Sequence, residues 1–195
     1  MVIETGGQRW PVSLGFVGEH NALNATGAFA LAIALGHRPE ECVQGLESAR
    51  PYARRLNVVE AADGWTVVDD CYNANPASMA AALDTVRTLA GGGRVVAVLG
   101  DMLELGPGER EEHVALGARV SQVAALVAFL GPRSSWTAGA THGIESAHFL
   151  EVELLWEWLR PRLRPGDLVL VKGSRGMRLE RVVEKLTGVA ASGGH

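Results

Sequence analysis

The densest group of chemically active side chains in this sequence lies between Asp69 and Asn75, where the chain reads DDCYNAN. Asp69 and Asp70 end an apolar run, and a carboxylate in that place is a natural partner for a ribose hydroxyl or a Mg²⁺ ion. Tyr72 offers a flat ring for a base or a sugar, and the amides of Asn73 and Asn75 both donate and accept hydrogen bonds. The group therefore predicts a site for a nucleotide-like ligand. Asparagine followed by proline at 75–76 is also an ordinary way to begin a helix.

A second polar group occupies the loop between Gly100 and Gly106, where Asp101 and Glu104 are three residues apart. Two acids at this spacing can hold a cation or an amine. Asp101 directly follows an apolar run, which favours a functional role for it. Glu104 can instead complement the positive start of the next helix, as we expect for the glutamates at 109, 111 and 112.

A third polar group, Lys172-Gly173-Ser174-Arg175, also follows an apolar run and precedes a predicted helix. Free amides at a helix start, the helix dipole and two basic side chains together favour a carboxylate or a phosphate. Cations at that end of a helix are unfavourable unless an anion compensates them. We therefore expect this group to bind an anion, although a serine cap with solvated cations produces the same pattern.

His20, Asn21 and Asn24 form a fourth group, at the start of a predicted apolar helix. Their side chains can bind a ligand, or they can satisfy the free amides of that helix start. The residues alone leave both interpretations open.

The polar groups need elements that bring them together, and from Leu56 onward apolar strands alternate with helical patterns. Several strands are continuous Val, Leu and Ala runs, which is typical of a sheet covered by helices on both faces. The alternation predicts an α/β fold with an open, doubly wound, mostly parallel sheet. Because three polar groups follow strands, we expect them to line one edge of that sheet. The predicted strands are LNVVE, WTVVDD, RVVAVLG, ALVAFLG, SAHFL and DLVLVKG, and the predicted helices are PASMAAALDTVRTLA, EREEHVALGARVSQV, ELLWEWLRPRL and MRLERVVEKL.

The amino-terminal part of the chain has a different pattern. It begins with a glycine-punctuated strand or hairpin, MVIETGGQRWPVSLGFV. The run NALNATGAFALAIALG is apolar on nearly all sides, so we expect a buried helix that ends at Gly36. Pro39 then begins a second, amphipathic helix. We place a domain boundary in the short polar segment that follows, so that residues 1–54 form the first part, 55–189 the α/β domain and 190–195 a disordered tail.

Composition limits the class of protein. A chain of 195 residues, 47% of them hydrophobic, is long enough to bury a core. The net charge of −4 and the pI near 5.9 give no basic surface for nucleic acid. Cys42 and Cys71 lie on different predicted elements, which favours free thiols in a reducing compartment. The sequence has neither an apolar run of roughly 18 residues nor a basic-then-apolar leader, so we expect a cytoplasmic protein without a membrane span.

Four strings and one arginine stand in a characteristic order along the chain: GEHNALNA at 18–25, Arg55, DDCYNANPASM at 69–79, LGDMLELG at 99–106 and VKGSR at 171–175. In this order and at about this spacing they resemble the motifs of the Mur ligase family. The YNANP and GDMxELG strings are similar to the branch of the family that adds the dipeptide D-Ala-D-Ala rather than a single amino acid. The resemblance covers nearly the whole chain, from Gly15 to Leu186.

The resemblance implies a domain organisation. Such ligases have a UDP-substrate domain, a central ATPase domain and a Rossmann-like carboxyl-terminal domain. Residues 1–54 would then correspond to the end of the central domain, and 55–189 to the carboxyl-terminal domain. The sequence contains no GxxxxGKS/T phosphate-binding loop. We therefore expect this polypeptide to be inactive alone, with the missing amino-terminal half as a candidate partner.

The resemblance also implies a reaction and its participants. ATP phosphorylates the carboxylate of UDP-MurNAc-tripeptide, the amine of D-Ala-D-Ala attacks the acyl phosphate, and Mg²⁺ bridges the phosphates. ATP with Mg²⁺ is thus the expected cofactor, and no residue of this chain is assigned as a metal ligand. The implied catalytic residues are Arg55 and Lys172, the implied nucleotide-binding residues are His20, Asn21, Asn24, Asp70, Tyr72, Asn73 and Asn75, and the implied substrate-binding residues are Asp101, Glu104, Ser174 and Arg175.

Some details of this carry-over stay open. The family arginine is either Arg54 or Arg55, and we choose Arg55 because it directly precedes Leu56, which opens a strand. Cys71 stands where the family usually has serine, which is a conservative change. Another ATP-dependent amide ligase of the superfamily, of the folate-polyglutamate or diaminopimelate-adding type, would differ in its substrate. A nucleotide- or peptide-binding module without catalysis is the remaining alternative, and the missing phosphate loop favours it for this chain.

Overall fold

The computed structural model describes residues 1–50 and 52–189. The chain divides into two compact units, Met1–Tyr52 and Ala53–His195, whereas the sequence placed the boundary between residues 54 and 55. The predicted disordered tail at 190–195 lies outside the described residues, as does Pro51. None of the helices in the described ranges has the length and apolar content that crossing a membrane requires.

The amino-terminal unit begins with an antiparallel hairpin of two short strands, β1 (Val2–Thr5) and β2 (Gln8–Pro11). Gly6 and Gly7 form its two-residue turn, and both have the positive φ that such a turn requires. The hairpin alternative for the opening residues is therefore confirmed.

Two helices complete this unit, α1 (Glu19–Ala34) and α2 (Pro39–Ser48). The small core of the unit combines Ile3 and Val12 from the hairpin region with Phe29 from α1. Partly buried side chains of α2 pack against that core, which agrees with the predicted amphipathic helix.

The prediction that α1 is buried on nearly all sides is wrong. Its buried residues are Ala25 and Phe29, whereas Leu23, Leu31 and the capping residue Leu35 are 73%, 63% and 71% exposed. The apolar run correctly predicted a helix. Burial depends in addition on what packs against each face, and the residue pattern of one helix does not contain that information.

The carboxyl-terminal unit is built on a six-stranded sheet. Its strands are β3 (Asn57–Glu60), β4 (Thr66–Asp70), β5 (Val95–Gly100), β6 (Leu126–Leu130), β7 (Glu145–Phe149) and β8 (Leu168–Lys172). They lie in the order β3–β4–β8–β5–β6–β7. Only the β3–β4 pair, joined by the turn at Asp63 and Gly64, is antiparallel among the described strands of this sheet. The predicted mostly parallel sheet is confirmed.

Helices cover both faces of this sheet: α3 (Pro76–Ala90), α4 (Glu109–Val123), α5 (Ser134–Gly139), α6 (Val152–Leu159) and α7 (Glu180–Thr187). The chain moves from β4 to β7 with α3, α4 and α5 packed side by side, and it returns to β8 through α6, which packs with α7. Right-handed crossovers require the forward and return connections to lie on opposite faces. Every residue of β5, β6 and β8 is buried as a result, which explains their continuous apolar runs.

The elements after β6 and β8 differ from the prediction. The short helix α5 was not predicted, because six residues containing serines and a glycine carry little helical periodicity. The last helix was predicted to begin near Met177, but a 3₁₀ turn occupies Arg175–Met177 and α7 begins only at Glu180. The carboxyl ends of the strands therefore lead into loops and turns that have room to contact one another.

Candidate functional site

Three polar groups lie on one edge of the sheet, as the sequence predicted. Strands β4, β8 and β5 are neighbours and parallel, and the register pairs Asp70 with Lys172 and Lys172 with Leu99. The loops that follow these strands therefore begin side by side. We call these loops, residues 69–75, 100–106 and 172–177, the carboxyl rim.

Lys172 is the best-buried basic side chain of the rim, at 2% exposure. Its Nζ lies 2.5 Å from Asp70 Oδ2 and donates to the backbone oxygen of Asn73 at 3.0 Å. Asp70 Oδ1 accepts from the backbone N–H of Leu56 at 3.2 Å. An unpaired buried ammonium would be costly, so the carboxylate beside it is the partner that burial demands. Lys172 thus fixes the 69–75 loop. Its predicted anion-binding role assumed a side chain that faces solvent, whereas this side chain is buried.

The guanidinium groups of two arginines lie close to the Tyr72 ring. Arg55 Cζ lies 4.4 Å from the ring centroid, and Arg175 Cζ lies 5.4 Å from it. Both arginines are exposed, whereas the ring is half-buried. The backbone N–H of Tyr72 donates to the backbone oxygen of Arg54 at 3.1 Å. An aromatic ring flanked by two exposed cations suits a ligand that combines negative charge with a flat or sugar-like part.

The structure separates the two candidate arginines. Arg55 reaches the Tyr72 ring, whereas Arg54 Nη1 lies 3.7 Å from Glu180 Oε1. Arg54 and Leu56 both have positive φ, 63° and 52°, which is uncommon for residues with side chains. The strained backbone on each side of Arg55 indicates that tertiary contacts hold this residue in place.

Asn73 and Asn75 make local hydrogen bonds. Asn75 Oδ1 accepts from the backbone N–H of Ser78 at 2.8 Å, and Ser78 Oγ accepts from the backbone N–H of Asn75 at 3.0 Å. Asn75 is therefore the N-cap of α3, the alternative that the following proline suggested. Asn73 Oδ1 accepts from the backbone N–H of Ala74 at 2.8 Å. Both asparagines are exposed, so a capping role does not exclude ligand contact.

Ser174 is buried and joins the three loops of the rim. Its backbone N–H donates to Asp101 O at 3.0 Å, and its Oγ donates to Ala74 O at 3.3 Å. The same Oγ accepts from the backbone N–H of Leu103 at 2.8 Å. The alternative that Ser174 caps a helix is wrong, because its side chain makes no capping bond and a 3₁₀ turn follows. Ser174 holds the loops together, and its hydroxyl is already occupied by these contacts.

The two acids of the 100–106 loop have different environments. Asp101 is 1% exposed, and its Oδ1 accepts from the backbone N–H of Ser134 at 2.7 Å, which ties this loop to α5. Its Oδ2 has no hydrogen-bond partner among the described residues, and Arg133 Nη1 lies 3.9 Å away. Glu104 is exposed, with a φ of 64°. The prediction that both acids hold one cation or amine does not fit, because the Asp101 carboxylate faces α5.

His113 is a buried residue next to the rim that no sequence motif indicated. It lies on α4 at 1% exposure, and its Nε2 accepts from the backbone N–H of Met102 at 3.1 Å. Its Nδ1 lies 2.7 Å from the backbone oxygen of Glu109. The available signal was a histidine on the apolar side of α4, in line with the buried Leu116 and Val120.

Asp69 and Cys71 are buried residues of the 69–75 loop whose pKa values are both raised. Burial raises the pKa of Asp69, an effect only partly opposed by the hydrogen bond from Cys71. Burial also raises the pKa of the Cys71 thiol far above its usual range, and the nearby Asp69 carboxylate raises it further. Cys71 is part of the hydrophobic core and stays a thiol at neutral pH. Its role is packing, which agrees with a conservative replacement of serine.

The rim does not form a metal centre by itself. Within residues 1–50 and 52–189, no cluster of three or more His, Cys, Asp or Glu side chains is arranged to hold a metal ion. Both carboxylate oxygens of Asp70 are engaged, by Lys172 and by the Leu56 amide. These residues therefore do not fit a Mg²⁺ ion held by this chain alone.

The fourth polar group belongs to the amino-terminal unit. His20, Asn21 and Asn24 lie in the first turns of α1, and Asn24 is exposed while the other two are half-buried. Asn21 Nδ2 donates to the backbone oxygen of Val17 at 2.8 Å. The helix cap is Gly18 and has no side-chain hydrogen bond. The alternative that these side chains cap α1 is therefore not supported. Asn24 lies three residues after Asn21 and four after His20, so the three side chains share one side of the helix.

Comparison with known families identifies the fold and its motifs. The family model described as "Mur ligase, glutamate ligase domain" matches residues 54–175, which is more than half of the chain. The chain belongs to the Mur ligase family. The match covers the carboxyl rim except residues 176 and 177, so the family signature and the geometry coincide in this Mur ligase domain.

Curated relatives named UDP-N-acetylmuramoyl-tripeptide–D-alanyl-D-alanine ligase resemble this Mur ligase chain over most of its length. The Bacillus subtilis relative is 35% identical over 87% of the chain and 38% of the relative. The Treponema pallidum relative is 40% identical over 89% of the chain and 38% of the relative. The chain thus spans about two fifths of the length of these relatives.

Solved structures of the same branch are also similar. The MurF ligase from Thermotoga maritima, in complex with ADP, has a TM-score of 0.81 at 30% identity. The match covers 93% of this chain and 41% of that chain. A MurF structure from Acinetobacter baumannii has a TM-score of 0.84 at 32% identity, with 96% of this chain and 42% of that chain covered. The resemblance inferred from the sequence motifs is confirmed.

Proposed function

We propose that this chain is the carboxyl-terminal portion of an ATP-dependent ligase that joins D-Ala-D-Ala to UDP-MurNAc-tripeptide in peptidoglycan precursor synthesis. The names of the curated relatives support the reaction, and the ADP in the Thermotoga maritima structure supports a nucleotide. The observation that carries the proposal is the contact of exposed Arg55 and Arg175 with the half-buried Tyr72 ring, on a rim that contains the family motifs. The enzyme would act in the cytoplasm, where ATP and UDP-linked substrates are found.

In this proposal Tyr72, Arg55 and Arg175 bind the nucleotide and the anionic groups near it. The ring lies against the ribose or its neighbours, and the two guanidinium groups neutralise phosphate or carboxylate oxygens. When bound, ATP supplies the phosphoryl group that activates the substrate carboxylate. Asn73 and Asn75 are exposed on the same loop and are proposed as further nucleotide contacts.

The buried rim residues act as positioning groups in this proposal. Lys172 and Asp70 fix the loop that carries Tyr72, and Ser174 with Asp101 sets the spacing between the loops. Glu104, the exposed acid of the rim, is the proposed contact for the amino substrate. Preorganised groups of this kind cost no rearrangement when the charged ligand arrives.

His20, Asn21 and Asn24 in the amino-terminal unit remain proposed nucleotide contacts. The sequence lacks a phosphate-binding loop, so we propose that turnover needs a polypeptide that supplies one and that holds Mg²⁺ with the nucleotide phosphates. The chain alone would then bind ligands without converting them. It would behave as a binding module by itself and as part of a ligase together with the polypeptide that supplies the phosphate-binding loop.

Calorimetric titration of the purified chain with Mg·ADP tests the nucleotide part of the proposal. Arg55→Ala and Arg175→Ala should each weaken binding about ten-fold or more, because each removes a charge-assisted contact. Arg87→Ala is the matched control, since this exposed arginine is in the last turn of α3 and pairs only with Asp84 among the described residues. Equal losses in all three variants, or no ADP binding by the parent chain, would contradict the proposal.

A chimera tests the reaction. The 38% of the Bacillus subtilis relative that this chain matches is replaced by this chain. We expect ADP formation that depends on both UDP-MurNAc-tripeptide and D-Ala-D-Ala. A chimera that uses a single amino acid instead of the dipeptide would assign the chain to another branch of the family.

A further inference from the structure

We infer that His113 is a positioning residue for the loop that carries Glu104, and through it for binding of the amino substrate. The second half of this inference rests on the function proposed above. Two consecutive backbone amides of the loop donate to buried side chains from different elements. Met102 N donates to His113 Nε2 at 3.1 Å, and Leu103 N donates to Ser174 Oγ at 2.8 Å.

The hydrogen bonds determine the state of the imidazole. A backbone N–H can only donate, so Nε2 of His113 is unprotonated where it meets Met102. A backbone carbonyl can only accept, so Nδ1 carries the proton that it shares with Glu109 O at 2.7 Å. The ring is therefore neutral, with its proton on Nδ1. The His113 ring also makes an edge contact with Trp136, at 5.7 Å between centroids and 81° between planes, and this contact restricts the orientation of the imidazole.

The anchored amides directly precede the residue whose placement matters. Glu104 has a φ of 64°, in the left-handed region that residues with side chains seldom adopt, and Gly106 has a φ of 73°. A conformation of this kind persists when the surrounding structure over-determines it. His113 and Ser174 hold residues 102 and 103 from two sides, and thereby place the Glu104 carboxylate on the carboxyl rim.

A pair of substitutions separates this role from simple packing. In His113→Gln the side-chain amide oxygen can reach the position of Nε2 and accept from Met102. In His113→Asn the shorter amide reaches only the position of Nδ1, so it can bond Glu109 O but not Met102. Both variants lose the ring contact with Trp136 and bury an amide, and the Asn side chain is smaller than the Gln side chain by one methylene group.

Hydrogen exchange of the chain, resolved to single amides, tests the anchoring. In His113→Asn the Met102 amide should exchange about ten-fold faster than in the parent chain, the factor expected for one lost hydrogen bond. His113→Gln should retain protection, and Ser174→Ala should expose the Leu103 amide instead. The Val127 amide, within β6, reports global opening and normalises the rates. Equal Met102 exchange in the Gln and Asn variants would overturn the inference.

A measurement on the parent chain keeps the inference testable if a variant fails to fold. The nitrogen chemical shifts of the His113 ring should be those of a neutral imidazole protonated at Nδ1. A ring protonated at Nε2, or at both nitrogens at neutral pH, would refute the anchoring bond to Met102.

The link to substrate is tested in the chimera described above. His113→Asn should raise the KM for D-Ala-D-Ala about ten-fold and leave the KM for ATP unchanged, and His113→Gln should restore the dipeptide KM. Equal KM values for the two variants would reduce His113 to a packing residue. If the parent chimera is inactive, the proposed function fails, whereas the exchange data still decide the anchoring of the loop.

Discussion

Individual residues of the rim derive their roles from partners that lie far away in sequence. Lys172 and Asp70 have side chains only 3% and 14% exposed, and they are the most buried ion pair of the rim. A buried pair contributes little net stability compared with apolar residues, but removal of one partner leaves the other uncompensated. The pair therefore makes the Tyr72 loop sensitive to either substitution.

Lys172→Met should lower the free energy of unfolding of the carboxyl-terminal unit by about 3–5 kcal/mol, because the Asp70 carboxylate stays buried without its cation. Urea denaturation measures this change. Arg119→Met is the control, since Arg119 pairs with Asp84 at 44% and 43% exposure and should cost less than about 1 kcal/mol. Adding Asp70→Leu to Lys172→Met should recover part of the loss. Similar effects of the Lys172 and Arg119 variants would refute the importance of the buried pair.

Asp69 makes the stability depend on pH in an unusual direction. Burial raises its pKa above the ordinary value of 3.8, so the folded state holds the proton more tightly than the unfolded state does. Stability therefore falls as the pH rises from 3.8 through the folded pKa. Asp69→Asn keeps an oxygen for the Cys71 amide but carries no charge. Urea unfolding at a series of pH values should show the variant gaining on the parent chain above pH 3.8, and a constant difference would contradict this.

At the scale of elements, α4 and α5 approach so closely that only glycine fits between them. A Cβ at Gly117 would lie 2.7 Å from the backbone carbon and the Cβ of Ala140, which follows α5. Backbone atoms cannot yield as a flexible side chain can. The contact between Gly117 and Ala140 thus allows the end of α5 to pack closely against α4, and no local sequence pattern indicates this contact.

Gly117→Ala should destabilise the carboxyl-terminal unit by about 1–3 kcal/mol, since the extra methyl group overpacks this contact. Gly139→Ala is the matched control, because a Cβ at this end of α5 meets no atom within 4 Å. That variant should be neutral or more stable by up to about 1 kcal/mol, the usual helix preference of alanine. Thermal and urea denaturation compare the two, and an equal or reversed order would show that α5 can move away.

At the scale of the whole molecule, α1 presents exposed leucine side chains. Leu31 and Leu35 are four residues apart on the same side of the helix and are 63% and 71% exposed. Neighbouring exposed apolar side chains favour association with another apolar surface. The chain should therefore self-associate at high concentration.

Replacing both residues, Leu31→Gln with Leu35→Gln, should shift sedimentation towards a single monomeric species without loss of helical signal. The reason is that these side chains contribute little to the core of the unit, which is formed around Phe29. Phe29→Gln serves as the contrast, because this residue is 2% exposed and its replacement should unfold the unit. Unchanged association in the double variant would show that another surface of the chain causes the self-association.

The sequence by itself determined the strands and most helices of the α/β unit, the position of the rim loops and the family. Apolar runs, capping residues and motif strings are local signals that survive without knowledge of neighbours. Tertiary structure alone decided that β8 inserts between β4 and β5, and this placement turned Lys172 from an expected ligand-binding cation into the partner of Asp70. The exposure of α1 and the anchoring by His113 were decided in the same way. The physical reason is that local periodicity reports which side of an element is apolar, whereas the partner of each side chain depends on long-range strand pairing and packing.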